Sequence, residues 1–71
     1  MGKSGIHFKV YLDDFVFKES RGKIFKYKIT SIRVDKHGIT YNAYSEEGKH
    51  GISIPEKWIG EIVFMEEDDL K

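Results

Sequence analysis

Short β-branched and aromatic runs alternate with glycine-bearing polar breaks over residues 15–64. The runs are Phe15-Val16-Phe17, residues 23–34, residues 39–44, Ile52-Ser53-Ile54 and residues 59–64. The breaks are Ser20-Arg21-Gly22, Asp35-Lys36-His37-Gly38 and Glu46-Glu47-Gly48. Such spacing predicts a meander of antiparallel strands, and so a small barrel or sandwich. A barrel of this size has little interior to spare, so any function is expected on its surface or loops.

Within the runs, His7-Phe8-Lys9-Val10-Tyr11-Leu12 alternates with Phe8, Val10 and Leu12 on one side, and predicts a first strand or an extended lead-in. Asp13-Asp14 breaks it, because aspartate favours turns over strands. Residues 23–34 do not keep one period. Phe25, Tyr27 and Ile29 share one parity, whereas Ile24, Ile32 and Val34 share the other. One extra residue near Thr30-Ser31, a β-bulge, reconciles them and bends the strand as a small barrel requires; two separate strands are the alternative. Asp35-Lys36-His37-Gly38 suits a type I turn followed by a left-handed Gly38. Ile39, Tyr41 and Ala43 are then expected inward, with Thr40, Asn42 and Tyr44 outward. Pro55 ends the Ile52–Ile54 strand, since proline donates nothing to a ladder. Pro55-Glu56-Lys57-Trp58 predicts one short helical turn. Residues 59–64 predict a closing strand bent at Gly60, and residues 66–69 a frayed acidic end.

Composition narrows the class. Seventy-one residues predict a single domain, with a flexible start over 1–5, the barrel over 6–65 and an acidic tail over 66–71. Nine isoleucines, four valines and ten aromatics suit a pleated, half-buried surface, whereas two leucines and one alanine argue against substantial helix. With no cysteine, neither disulfides nor a thiolate metal site can staple the chain. No apolar run approaches the roughly 20 residues of a membrane span, and no signal-peptide apolar region stands at the start. An intracellular, cytoplasmic protein without membrane partners is therefore expected. Net charge is zero, yet residues 1–40 carry nine Lys or Arg against four acids, and residues 41–71 three Lys against eight acids. Non-specific nucleic-acid binders usually carry a basic excess, and this chain does not.

The order Phe8-Lys9-Val10, Asp14-Phe15-Val16-Phe17, Ile29-Thr30-Ser31-Ile32 and Gly38-Ile39-Thr40-Tyr41 resembles small SH3-like barrel proteins of bacterial phages and mobile elements. The ending Ile59-Gly60-Glu61-Ile62-Val63-Phe64, followed by Glu66-Glu67, is similar to how many of those chains finish. The likeness spans about residues 8–67. It departs from the pattern at Asp13-Asp14, where a glycine–aspartate turn is usual, and at Met65, where a threonine is usual. The resemblance implies an SH3-like barrel and a non-enzymatic accessory role.

Two constellations compete for function. Arg21, Lys23, Lys26, Lys28 and Arg33, interleaved with Phe25 and Tyr27, form a basic-aromatic strand of the kind that holds single-stranded nucleic acid, with Tyr41 and Tyr44 as possible extensions. The plain reading is a solvated strand whose lysines discourage edge aggregation. Phe25, Tyr27, Tyr44 and Trp58 are the aromatic candidates for a protein partner, although Trp58 is better read as a cap on the open end of the core. His7, His37 and His50 lack ligand spacing, so no metal or cofactor is expected. Ser, His and Asp residues all lie beside turns or ends, and Asp13-Asp14 would face opposite ways in a strand, so catalysis and a small-molecule substrate are not expected. The sequence therefore predicts an all-β protein, a five-stranded antiparallel SH3-like barrel with a bent second strand and one helical turn near Pro55–Trp58. Its expected work is to bind a protein partner. A nucleic-acid-binding barrel is the second reading, and an oligomerising structural component the third.

Overall fold

The computed structural model describes residues 7–70; the flexible start expected at 1–5 and the last residue of the acidic tail fall outside them. The chain is all-β. Strands β1 (Phe15–Ser20), β2 (Lys23–Asp35), β3 (Gly38–Ser45), β4 (His50–Pro55) and β5 (Val63–Phe64) form one antiparallel sheet in the order β4-β3-β2-β1-β5. The sheet is open, with β4 and β5 at its two ends and no ladder joining them. The antiparallel meander is thus present and barrel closure is not.

Turn chemistry sets the registers. Arg21 and Gly22 are both left-handed, at φ 55° and 80°, and make the two-residue hairpin loop that matches strand twist. That loop pairs Ser20 with Lys23 and, five steps back, Phe15 with Lys28. Gly38, at φ 121°, follows the Lys36-His37 turn as expected, and the Asp35 side chain accepts the His37 N–H at 2.8 Å. The β2–β3 register slips between Ile29 and Ser31, so Thr30 is the predicted extra residue. The slip keeps Ile29 before the bulge and Ile32 after it on the same core side.

The core holds Val16, Tyr27, Ile29, Tyr41, Ala43, Ile54 and Val63, one parity from every strand, together with Val10 from the lead-in. Residues 7–14 make neither the expected strand nor an extended lead-in; the chain bends at Lys9-Val10 and turns at Leu12-Asp13. They are tied down by Asp13 N–H to the Ile29 carbonyl and by Ile29 N–H to the Asp14 carbonyl, both at 2.9 Å. Leu12, expected on the same side as Val10, is exposed, because the backbone turns at Asp13 with φ 71°.

The expected closing strand over 59–64 shrinks to Val63–Phe64. The reason is local. Gly60 is left-handed at φ 91°, the Trp58 carbonyl accepts from both Glu61 and Ile62 N–H at 3.0 Å, and Gly60 N–H donates to Val63. The backbone groups a strand would offer its neighbour are used inside this turn. Glu56–Trp58 form the predicted helical turn, a single 3-10 turn entered through Pro55. Within the acidic tail, Glu67–Leu70 make a second 3-10 turn against β1.

Candidate functional site

Cross-strand pairing builds the site on the outer side of the sheet, away from the core. Directly paired residues point the same way, so Phe15, Lys28 and Tyr44 stand in one row across β1, β2 and β3. Phe17 and Lys26 stand in the row beside it. The Lys26 ammonium lies 4.2 Å from the Phe15 ring centroid, within cation–π range. Tyr44 is opposite Gly51 on β4, and the missing side chain leaves its ring room over the edge strand. Phe15 and Tyr44 remain 45% and 43% exposed.

Between them lies an open groove of about 550 Å³, bordered by Phe15, Lys26, Lys28 and Tyr44 and by Glu46 and Glu47 from the β3–β4 turn. Glu47 is drawn in by backbone need. β2 runs past the end of β3, and the Glu47 carboxylate accepts the Lys26 N–H at 3.3 Å. A polar strip adjoins this groove beyond Tyr44. Asn42 donates to Ser31 and accepts from Ser53, both at 3.0 Å, so one residue from each of three strands is locked in line. A shallow, open trough of mixed charge with two aromatic walls does not enclose a small molecule. It can receive an extended chain that brings an apolar side chain and both signs of charge.

The basic residues do not converge. Lys26 and Lys28 share the groove, and Lys28 also pairs with exposed Asp13 at 3.5 Å, a surface contact of little energy. Arg33 lies past the bulge and pairs with Asp35 at 3.7 Å. Arg21 sits in the hairpin tip, and Lys23 lies on the opposite side of the sheet with its ammonium 5.1 Å from the Phe25 ring.

The aromatic candidates divide as well. Tyr27, expected as a surface anchor, is a core residue at 2% exposure, because its parity with Ile29 turns it inward. Phe25 is half-buried on that same inner side, and Trp58 packs against the core as a cap. Only Tyr44 of the four keeps an exposed ring. Tyr27 is paired with His50: its hydroxyl donates to Nε2 at 2.8 Å while Nδ1–H donates to the Gly48 carbonyl at 3.1 Å. Tyr41 is buried too, with its hydroxyl accepting from Lys9 N–H at 2.9 Å and donating to Glu56 Oε2 at 3.1 Å. Burial pushes both hydroxyls above the ordinary tyrosine value; at Tyr41 the Lys9 amide opposes the rise and the Glu56 carboxylate adds to it. Neither phenol is available to a ligand.

Phe15, Glu46 and Glu47 are the site residues the sequence reading missed. For Phe15 the signal was present: a two-residue loop at Arg21-Gly22 fixes Ser20 opposite Lys23, and counting back puts Phe15 beside Lys28. No known protein family, curated sequence or solved structure matches the chain.

Proposed function

We propose that the protein is a non-enzymatic binding module that grips an extended segment of a partner protein in the outer groove between Phe15 and Tyr44. The observation that carries this reading is the pairing of two exposed rings with two lysines and two glutamates in one open trough. Aromatic walls supply desolvated contact area at low entropy cost, and mixed charge sets register and rejects wrong partners. Zero net charge favours protein recognition over tracking a phosphate backbone. The bent β2 and the single 3-10 turn before the last strand support reading the sheet as an SH3-like barrel left unclosed. The resemblance to phage and mobile-element barrels supports an accessory role in which the partner is a host or defence factor.

Selection from a random peptide display library tests the reading. Enriched peptides should bind the natural chain and lose at least tenfold in affinity on Tyr44→Ala or Phe15→Ala, since each ring is a candidate hot spot. Val34→Ala, an equally exposed change beyond the bulge, should leave binding intact. Failure to enrich any peptide, or equal loss on Val34→Ala, would count against the groove.

Nucleic acid is the second reading, favoured by Lys26 and Lys28 flanked by Phe15 and Tyr44. Low-salt titration with single-stranded DNA and RNA separates it. Salt-sensitive binding abolished by Lys26→Glu and Lys28→Glu would promote it over the peptide reading.

A further inference from the structure

β4 has one whole edge free, six residues long; residues 29–35 of β2 also lack a ladder partner on the β1 side, but there Ile29 bonds to the lead-in and Arg33 and Asp35 add charge, and β5 is two residues long. Proteins blunt such edges with charge, proline or bulges. β4 reads His50-Gly51-Ile52-Ser53-Ile54-Pro55, with no Lys, Arg, Asp or Glu and with proline only at its end.

Its outward backbone groups follow from β3. In an antiparallel strand, alternate residues turn both backbone groups to one neighbour and then to the other. The Asn42 carbonyl accepts from Thr30 Oγ1 on β2 at 3.1 Å, so Asn42 faces β2. The Ala43 carbonyl lies on the β4 side, 3.2 Å from where a Gly51 Cβ would stand. Tyr41, Ala43 and Ser45 therefore bond to Ile54, Ile52 and His50, their partners across the ladder. Gly51, Ser53 and Pro55 turn their groups to the open edge, which is where a proline removes no bond from the sheet.

We propose that this edge pairs with the same edge of a second copy of the chain, antiparallel about a two-fold axis at Ile52. In that register Gly51 of each copy lies opposite Ser53 of the other. Both residues face outward, so each pair exchanges N–H···O bonds in both directions. At the axis the two Ile52 residues form a non-bonded pair with Cα atoms about 4.5 Å apart. Ile52 is half-buried against its own core, and its mate covers the remainder. Lys49, exposed in the turn just before each β4, lies at the end of the other copy's strand where Glu56 follows Pro55, so opposite charges approach at both ends. An axis at Ser53 would make the same four bonds, but it would bring Lys49 toward Lys57 of the other copy, like charge against like. An apolar centre, matched backbone groups and oppositely charged ends under one two-fold axis identify a second copy, rather than an arbitrary strand, as the occupant.

Six residues a side make a small contact beside the roughly 800 Å² per partner of a standard interface, so association depends on concentration. Sedimentation equilibrium of the full chain should show its mass rising from 8.3 kDa toward twice that value as concentration increases. Ser53→Pro removes an outward N–H while leaving the β3 ladder whole, and should weaken association at least tenfold. The chain has no cysteine, so Ile52→Cys places its one thiol at the axis and mild oxidation should link two copies, whereas Ser53→Cys does not meet itself and should stay unlinked. Monomer mass at the highest concentration would overturn the proposal, as would preferential linking through Ser53→Cys. Circular dichroism confirms that each variant folds, and the natural chain's mass decides the matter if one does not.

Discussion

Removing one oxygen atom from Tyr41 should cost this protein a large share of its stability. Tyr41 is fully buried, yet its hydroxyl accepts the Lys9 N–H at 2.9 Å and donates to Glu56 Oε2 at 3.1 Å. It thereby ties the lead-in to the 3-10 turn after β4. In Tyr41→Phe the ring and its packing stay, and both bonds go. A neutral bond contributes about 1 kcal/mol and one to a carboxylate about 1.5–3 kcal/mol. Lys9 is exposed, so water replaces part of what its amide loses. A net loss of about 2 kcal/mol follows, against the roughly 3–5 kcal/mol that a core of this size supplies. The thermal midpoint should fall by about 10 °C. Urea melts should show a lower midpoint with an unchanged slope, and amide exchange at Lys9 and Val10 should quicken. A double cycle with Glu56→Ala should return a coupling of about 1 kcal/mol. A loss below about 0.5 kcal/mol, the surface-substitution range, together with unaltered exchange at Lys9, would refute the tie.

Three further outcomes follow from the same packing. Ile29→Ala, at a fully buried position, should cost about 3 kcal/mol and leave the chain largely unfolded at 37 °C, whereas Val34→Ala at 46% exposure should stay within about 0.5 kcal/mol; chemical denaturation compares them. Gly48→Ala places a Cβ 2.5 Å from His50 Cε1, so the imidazole must leave the Tyr27 hydroxyl; about 1–2 kcal/mol should be lost and the His50 ring resonances should move. Tyr27 and Tyr41 ionise above the ordinary tyrosine value of 10.0 because burial disfavours the phenolate. The folded state therefore keeps protons that the unfolded chain releases, and this contribution is complete below about pH 10 and lost as pH climbs through the raised values. Urea midpoints should fall across that alkaline window and fall less steeply in Tyr27→Phe.

Where a residue's side of the sheet follows from period and turn type, the sequence was readable. The parity break between Ile29 and Ile32 located the bulge at Thr30, Gly38 marked its hairpin, and Pro55 marked the end of β4. The site was less legible because it depends on pairing between strands. Basic residues at 21, 23, 26, 28 and 33 look like one patch along the chain, but the pleat sends Lys23 to the opposite side, and Arg33, which the bulge returns to the outer side, stands further along opposite Thr40 and pairs with Asp35. Tyr27 looked like its neighbours in that run, and only its shared parity with Ile29 marked it as core. The closing strand failed for a different reason. Residues 59–64 have strand composition, but a left-handed Gly60 spends their backbone groups inside a turn.

The outer groove is the central claim, and amide chemical-shift mapping with a peptide from the display selection tests it most directly. The account predicts perturbations centred on Phe15, Lys26, Lys28 and Tyr44, spreading to Glu46 and Glu47, and absent from the chain carrying both Phe15→Ala and Tyr44→Ala. Shifts centred instead on Lys23, Phe25 and His50 across the sheet, or binding untouched by loss of both rings, would contradict it.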